Sequence, residues 1–386
     1  MAGSNDTPGD DPRLSYQEAL TLVELPPLPS SVGTTSGSVR RFMSTSPVYV
    51  QTTDYPRDHP LWGMHKSGFG GHVYAQSGLA AYKVWRSVED QKGAKPHERL
   101  GIHTIHGYFT LAAKPDRPFV YHVQVLTTLR SLATLSVTAY QPSQPSTNPK
   151  ADYFPLADGS LPLEPPSFTG IVSFKLAEAH SSGVNSQEAP PQVRFADILS
   201  SRRPSEWAPS PITDIEAIVE YFAHENKSIV GLFPMVDVKK VDMSAYNKDK
   251  PPHERREISL YRLVKPLPSP ADGNDSILVH AFAADRNGLL MVGNHNGLGH
   301  KFGKAATISN TFVVHENVNE AVMEYGTGEG RDLGNEWWVM EYSFPRTARG
   351  RGIVVNKIWS PKGVHVATEY QDGVVRSNEA SEKVKL

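Results

Sequence analysis

The hydrophobic pattern along this chain has two periods. Over much of its length Val, Thr, Tyr, Phe and Leu alternate with polar residues in runs broken by Pro, Gly and Asn, which is the signature of half-buried antiparallel strands. Leu100–Thr110, the long Pro118–Gln141, Ser167–Leu176, Ile229–Met243, Arg255–Leu267, Ala305–His315 and the extended system Trp337–Arg376 read this way. Two stretches depart from it. In Phe69–Trp85, Gly70 and Gly71 open a helix whose positions Val73, Ala75, Leu79, Ala80 and Val84 predict burial. Ser276–Leu290, SILVHAFAADRNGLL, leaves so little of a helical circumference polar that it predicts one core helix. Ser276 is placed to cap its first turn and Asn287-Gly288 to end it.

The order of these elements repeats. Each half reads as a buried helix, a strand bearing histidine and aromatics, a loop, then long strands, which predicts a duplicated unit. The implied fold class is α+β, two tandem units each wrapping an antiparallel sheet around a central helix. Residues 1–13 are expected to be a disordered tail and 14–176 the first unit. Within that unit the seven prolines of Pro142–Pro166 predict an exposed insertion. Residues 177–211, polar and proline-bearing, read as a linker, 212–380 as the second unit and 381–386 as a second tail. Tyr16–Leu25 reads as a short amphipathic helix, and Ile212–Ala223 also looks helical.

Composition narrows the chemistry. The 386 residues suffice for two sizeable cores, and a net charge of −2 gives no global field to recruit nucleic acid or a membrane. There is no cysteine, which excludes disulfides, thiolate metal sites and cysteine nucleophiles. No apolar run approaches the ~20 residues of a membrane span. There is no G-x-S-x-G elbow, P-loop, G-x-G-x-x-G or HExxH. The fifteen histidines are scattered, and His106 and His315, on matching strands, read as satisfied core histidines rather than metal ligands. What remains is Asp285, an acid on a core helix, with Thr307 in AATIS and Gln371 in TEYQDGVVR. A buried acid is costly unless something pairs or uses it, and most such acids are structural.

Five segments in order carry a resemblance: Phe69–Val84, Ile102–Leu126, Ala281–Leu290, Ala305–Ser309 and Gly350–Arg376. Together they resemble the type II acyl-CoA thioesterases, the bacterial and peroxisomal group with a double hotdog fold. The resemblance implies catalysis by Asp285, Thr307 and Gln371, which would position a water to attack a thioester carbonyl and release free acid and coenzyme A. It implies an acyl-CoA substrate, no cofactor, no metal and a homo-oligomer. The physical case agrees, because a desolvated carboxylate is a stronger base and a threonine and a glutamine can orient a water. Gly70 and Gly71 are candidates for backbone contact with the developing oxyanion. Lys301, Lys304, Arg349 and Arg351 are candidates for the coenzyme A phosphates.

There are departures from the family. After the threonine it usually reads Ile-Asp-His-Ser, where this chain has Ile308-Ser309-Asn310-Thr311. Thr128-Leu129 replaces an expected Asp-Gly turn, and Asn319–Gly334 is inserted. Two other readings stay open, a hotdog hydratase or dehydratase and a catalytically silent acyl-binding module. The C-terminal Val384-Lys385-Leu386 resembles the Ser-Lys-Leu peroxisomal address except at Val384, so peroxisomal and cytoplasmic locations both stand.

Overall fold

A computed structural model describes residues 11–27, 39–53, 57–59, 62–63, 65–149, 153–179, 185–224, 231–270, 272–326 and 333–378. Its first half holds α1 (Tyr16–Leu20), β1 (Leu22–Leu25), β2 (Arg40–Ser44), α2 (Gly70–Gln91), β3 (Leu100–Phe109), β4 (Val120–Thr128), β5 (Leu132–Tyr140) and β6 (Phe168–Leu176). A bridging stretch carries α3 (Pro191–Arg194), α4 (Ala196–Leu199) and β7 (Ala208–Pro209). The second half holds α5 (Glu216–His224), β8 (Val236–Lys240), α6 (Ser244–Asn247), β9 (Arg256–Leu263), α7 (Gly273–Ala284) and α8 (Gly288–His295). It ends with β10 (Phe302–Val314), β11 (Trp338–Ala348), β12 (Arg351–Trp359) and β13 (His365–Ser377).

All thirteen strands form one sheet in the order β1-β2-β4-β5-β6-β3-β10-β13-β12-β11-β9-β8-β7. Outward from the β3–β10 seam, β3-β6-β5-β4-β2-β1 mirrors β10-β13-β12-β11-β9-β8. The duplication read from the order of elements is thus visible in the topology. At the seam the two strands run antiparallel with His106 opposite Thr311. The two central helices, α2 and α7, pack on each other inside the curved sheet. Their residues join one core that spans both halves, in which Phe69 and Phe282 meet edge to face at 5.1 Å and Phe233 lies 5.2 Å from Phe282. Each such aromatic pair adds about 0.5–1.5 kcal/mol beyond the area it buries.

Several elements differ from their sequence reading. The helix expected over Ser276–Leu290 is two helices: α7 starts at Gly273, capped by Asp272 rather than Ser276, and ends with Asp285 as its C-cap. Asn287 then takes a left-handed conformation (φ 61°) and α8 begins at Gly288. Ser276 Oγ instead accepts from the Met323 N–H at 3.0 Å. An all-round apolar sequence hides a break made by one left-handed asparagine. Tyr16–Leu25 is helix only to Leu20, after which Leu22–Leu25 pairs with β2. Pro118–Gln141 is a hairpin, β4 and β5, turning at Leu129–Ser131, where the Leu129 N–H donates to the Leu132 carbonyl.

The described part of the expected linker 177–211 is packed, not bare. Phe195 and Trp207 join Trp337 and Trp359 in a second apolar cluster outside β9, β11 and β12, and Arg194 forks onto the buried Glu341. The insertion 142–166 is likewise ordered where described: Phe154 closes a small cluster with Leu25, Met43 and Val120, and buried Asp158 accepts from Ser146 and Thr147. Of the expected tails, residues 1–10 and 379–386, including Val384-Lys385-Leu386, lie outside the described residues. Arg13 donates to the Val236 carbonyl at 3.3 Å. His106 bonds Thr311 at 2.5 Å and His315 bonds Thr368 at 2.7 Å, on the sheet rather than in the core. Among the described residues no helix is long and apolar enough to cross a membrane.

Candidate active site

Three elements bring Asp285, Thr307 and Gln371 to one point. Asp285 ends α7, Thr307 stands on β10 and Gln371 on β13. On β13 Glu369, Gln371, Gly373 and Val375 are all buried, so one inward face carries the glutamine. On β10 the inward residues are Asn310, Phe312 and Val314, a parity that would turn Thr307 outward. A register shift between Thr307 and Ser309 corrects this by leaving Ile308 as the extra residue. The bulge re-aims Thr307 into the site.

The hydrogen bonds close a compact set. Gln371 Nε2 donates to Asp285 Oδ1 at 2.5 Å and to Thr307 Oγ1 at 2.9 Å, while Thr307 Oγ1 donates to Asp285 Oδ1 at 3.3 Å. The other carboxylate oxygen, Oδ2, accepts from the Gly71 N–H at 2.6 Å, at the start of α2. A Cβ at Gly71 would stand 2.7 Å from the Phe282 carbonyl and 2.6 Å from the Phe69 ring, so only glycine lets α2 approach α7 this closely. The Gly288 position is similar, a Cβ there standing 2.9 Å from Gln371 Oε1.

Asp285 is buried, and burial pushes its carboxyl up to about 7, against the lowering pull of Gly71, Thr307 and Gln371. An acid in that range is a competent base at neutral pH. The site opens into a cleft of about 610 Å³ whose lining includes Gly70, Val73, Phe109, Leu289 and Lys304 beside Asp285, Thr307 and Gln371. The cleft therefore has an apolar wall, an acid-centred floor and a cation at its rim. Among the described residues no three His, Asp or Glu side chains converge as a metal site would require.

The remaining candidates sort by position. Gly71 has its N–H committed to Asp285, so it is not free for an oxyanion. Gly70 lines the cleft and is the first residue of α2, where an N–H has no partner within the helix. Lys304 lines the cleft, and the β10–β13 register sets it opposite Arg376. Arg351 is paired with Asp372, and Arg349 sits in the β11–β12 turn with φ 53°. Lys301 is exposed on the turn before β10. Sequence reading missed Glu369, Asn310 and Asn356, which are sealed behind the site. The signal was present, since in TEYQDG the period of two places Glu369 on the same face as Gln371.

Comparison with known proteins bears on both fold and family. The chain superposes on an acyl-CoA thioesterase II from Mycobacterium marinum with TM-score 0.55 and 20% identity, covering 94% of this chain and 97% of that one. A tesB protein from Mycobacterium avium subs paratuberculosis gives 0.51 and 16%, covering 93% and 98%. A protein with a hot dog fold from Alicyclobacillus acidocaldarius gives 0.50 and 16%, covering 94% and 97%. The fold is a double hotdog. Residues 59–152 match the family model of the acyl-CoA thioesterase N-terminal domain, and the resemblance to the type II acyl-CoA thioesterases holds. That match lies wholly in the first hotdog and stops short of Asp285. A search of curated protein sequences found no match.

Counted from the starts of the two central helices, the halves carry different residues at the acid's place. Tyr82 stands twelve residues past Gly70, as Asp285 stands twelve past Gly273. At the duplicate position the Tyr82 hydroxyl donates to Asp272, and Tyr16 donates to Asp275 at 2.8 Å. A phenol occupies the place that the second half gives to an acid.

Proposed function

We propose that this double hotdog hydrolyses acyl-CoA thioesters to free acid and coenzyme A. The observation that carries the reading is the buried Asp285 carboxylate, held by Gly71, Thr307 and Gln371 at the floor of a cleft with apolar walls. A water on this floor is held between Asp285, Thr307 and Gln371. Asp285 accepts its proton as the oxygen attacks the thioester carbonyl. The carbonyl oxygen gains charge in front of the Gly70 N–H, at the positive end of α2. Collapse of the intermediate breaks the C–S bond, and the leaving thiolate takes up the proton held by Asp285.

The acyl chain runs along Val73, Phe109 and Leu289. The phosphates of coenzyme A fall to the basic end of the sheet, Lys304 first, with Lys301, Arg349 and Arg351 beyond it. The partners of Asp285 are an alcohol and an amide, which favours hydrolysis over hydration chemistry, where an acid pairs with a histidine. A thiol-release assay over short, medium, long and branched acyl-CoAs tests this. Turnover of at least one class, lost in Asp285→Ala, is the expected result. Tight binding without turnover across all chain lengths would make the chain an acyl-binding module instead.

A further inference from the structure

Two residues before Gln371, on the same inward face of β13, stands Glu369, 1% exposed. Its Oε1 accepts from Asn310 Nδ2 at 2.6 Å and its Oε2 from Asn356 Nδ2 at 3.4 Å. The Asn356 amide also donates to the Ala284 carbonyl at 3.2 Å, the last residue of α7 before Asp285. Among the described residues no Lys, Arg or His pairs with Glu369, so nothing of opposite charge compensates its burial.

Burial disfavours the charged carboxylate, while the two asparagine N–H groups that donate to it favour it. Asn310 Oδ1 and Asn356 Oδ1 are both buried without a donor. A protonated carboxyl carries an O–H that either oxygen would accept once its amide turned about the Cβ–Cγ bond. An ionised carboxylate has nothing to offer them. A residue needed only to fill this face would be apolar, like Val375 on the same strand.

We propose that Glu369 is a positioning residue for the reaction at Asp285: it fixes the end of α7 through Asn356 and, as a second buried acid on the inward face of β13 two residues from Gln371, governs how readily Asp285 takes a proton once it has lost its own. This rests on the reading of Asp285 as the base. Two buried acids tied to the same end of α7 do not both ionise readily, so they release their protons in two separate steps that belong to the pair. Burial, and then the charge of Asp285, push Glu369 up to about 8, against the pull of Asn310 and Asn356.

Other groups face the pair from each packed element. Tyr74 of α2 and Tyr342 of β11 are phenols held well above their ordinary range by burial first and by Glu369 next. Arg286, which follows Asp285, directs its Nη2 to the Ser210 and Pro211 carbonyls at 2.8 and 2.9 Å. The charge closest to Glu369 in effect is therefore that of Asp285.

Replacing Glu369 by Gln keeps the shape and removes the second acid. The limb of the kcat–pH profile near pH 7, where Glu369 still holds its proton, is expected to stay. The further change in kcat near pH 8, where Glu369 ionises and strengthens Asp285 as a base, is expected to vanish, with KM nearly unchanged. A folded Glu369→Gln variant that keeps the change near pH 8, or a wild type that shows none, overturns the proposal. The coupling is reciprocal, so an infrared titration of protonated carboxyl C=O bands gives a second readout. A band present at neutral pH in the wild type, absent in Glu369→Gln, is expected to titrate about one unit lower in Asp285→Asn. A band that titrates at the same pH in both proteins, or no such band, overturns it. If Glu369→Gln does not fold, the comparison of wild type with Asp285→Asn decides alone. The infrared measurement needs no acyl-CoA, so absence of thioester hydrolysis would remove the proposed function and leave this coupling separately measured.

Discussion

At the scale of single residues the site is a contest over one carboxyl. Burial raises the Asp285 carboxyl to about 7 while three donors lower it, and burial wins. A base must be ionised to act, so acyl-CoA hydrolysis is expected to rise with pH through about 7, as rates measured across pH will show. Asp285→Ala removes the base and is expected to lower kcat about 10²–10⁴-fold in thiol-release kinetics. Thr307→Ala and Gln371→Ala each delete one hydrogen bond to a charged group, and about tenfold to hundredfold losses are expected. Equal losses for all three would point instead to a collapsed cleft.

Among elements, the break between α7 and α8 decides most. Asp285 can meet the strands because α7 stops there, and Asn287 turns the chain so that Gly288 lets Gln371 come close. Gly71→Ala presses a Cβ against the Phe282 carbonyl. A loss of about 1–3 kcal/mol in denaturant unfolding is expected, with hydrolysis falling further than stability does, because the Gly71 N–H moves off Asp285. The helix around Asp285 and the two strands were legible in the sequence because burial leaves a period. The stop after Asp285 was not, since Asn287-Gly288 reads as the end of a longer helix and an apolar sequence carries no mark of a break. Thr307 was legible only through family likeness, because the bulge at Ile308 defeats the parity that would locate it. Asn310 looked like a loss from the family pattern; in the fold it holds Glu369.

Across the whole molecule buried acids and buried histidines oppose each other in the response to pH. Burial first raises Asp285 to about 7, Glu369 to about 8 and Asp275 to about 6, from ordinary values of 3.8, 4.5 and 3.8. Each acid binds its proton more tightly folded than unfolded and so contributes less stability as pH rises between roughly 4 and 8. His72, His280 and His365, lowered by burial to about 3, 4 and 4, act the other way and cost stability as pH falls below about 6.5. Thermal melts of wild type and Asp285→Asn are therefore expected to diverge as pH rises from 5 to 8, the variant gaining Tm relative to wild type. A difference between the two that stays constant over this range would contradict the buried acid. The β3–β10 seam and the α2–α7 contact imply that neither hotdog folds alone. Residues 212–386 expressed by themselves are expected to aggregate and to hydrolyse no acyl-CoA.

The Gly71–Asp285 hydrogen bond has a consequence for how this site evolves and how it will respond to mutagenesis. The first hotdog reaches the acid through a main-chain amide, a group that nineteen of the twenty amino acids possess. A side-chain scan of that half will therefore find Gly71, where a Cβ displaces the donor, and the cleft residues Val73 and Phe109, while drift elsewhere leaves the donor in place. Deletion of the same half removes the donor altogether. Outside those positions the duplicated copy is thus a scaffold that is permissive to substitution and intolerant of loss, so the rest of the first half can diverge while the second keeps its acid.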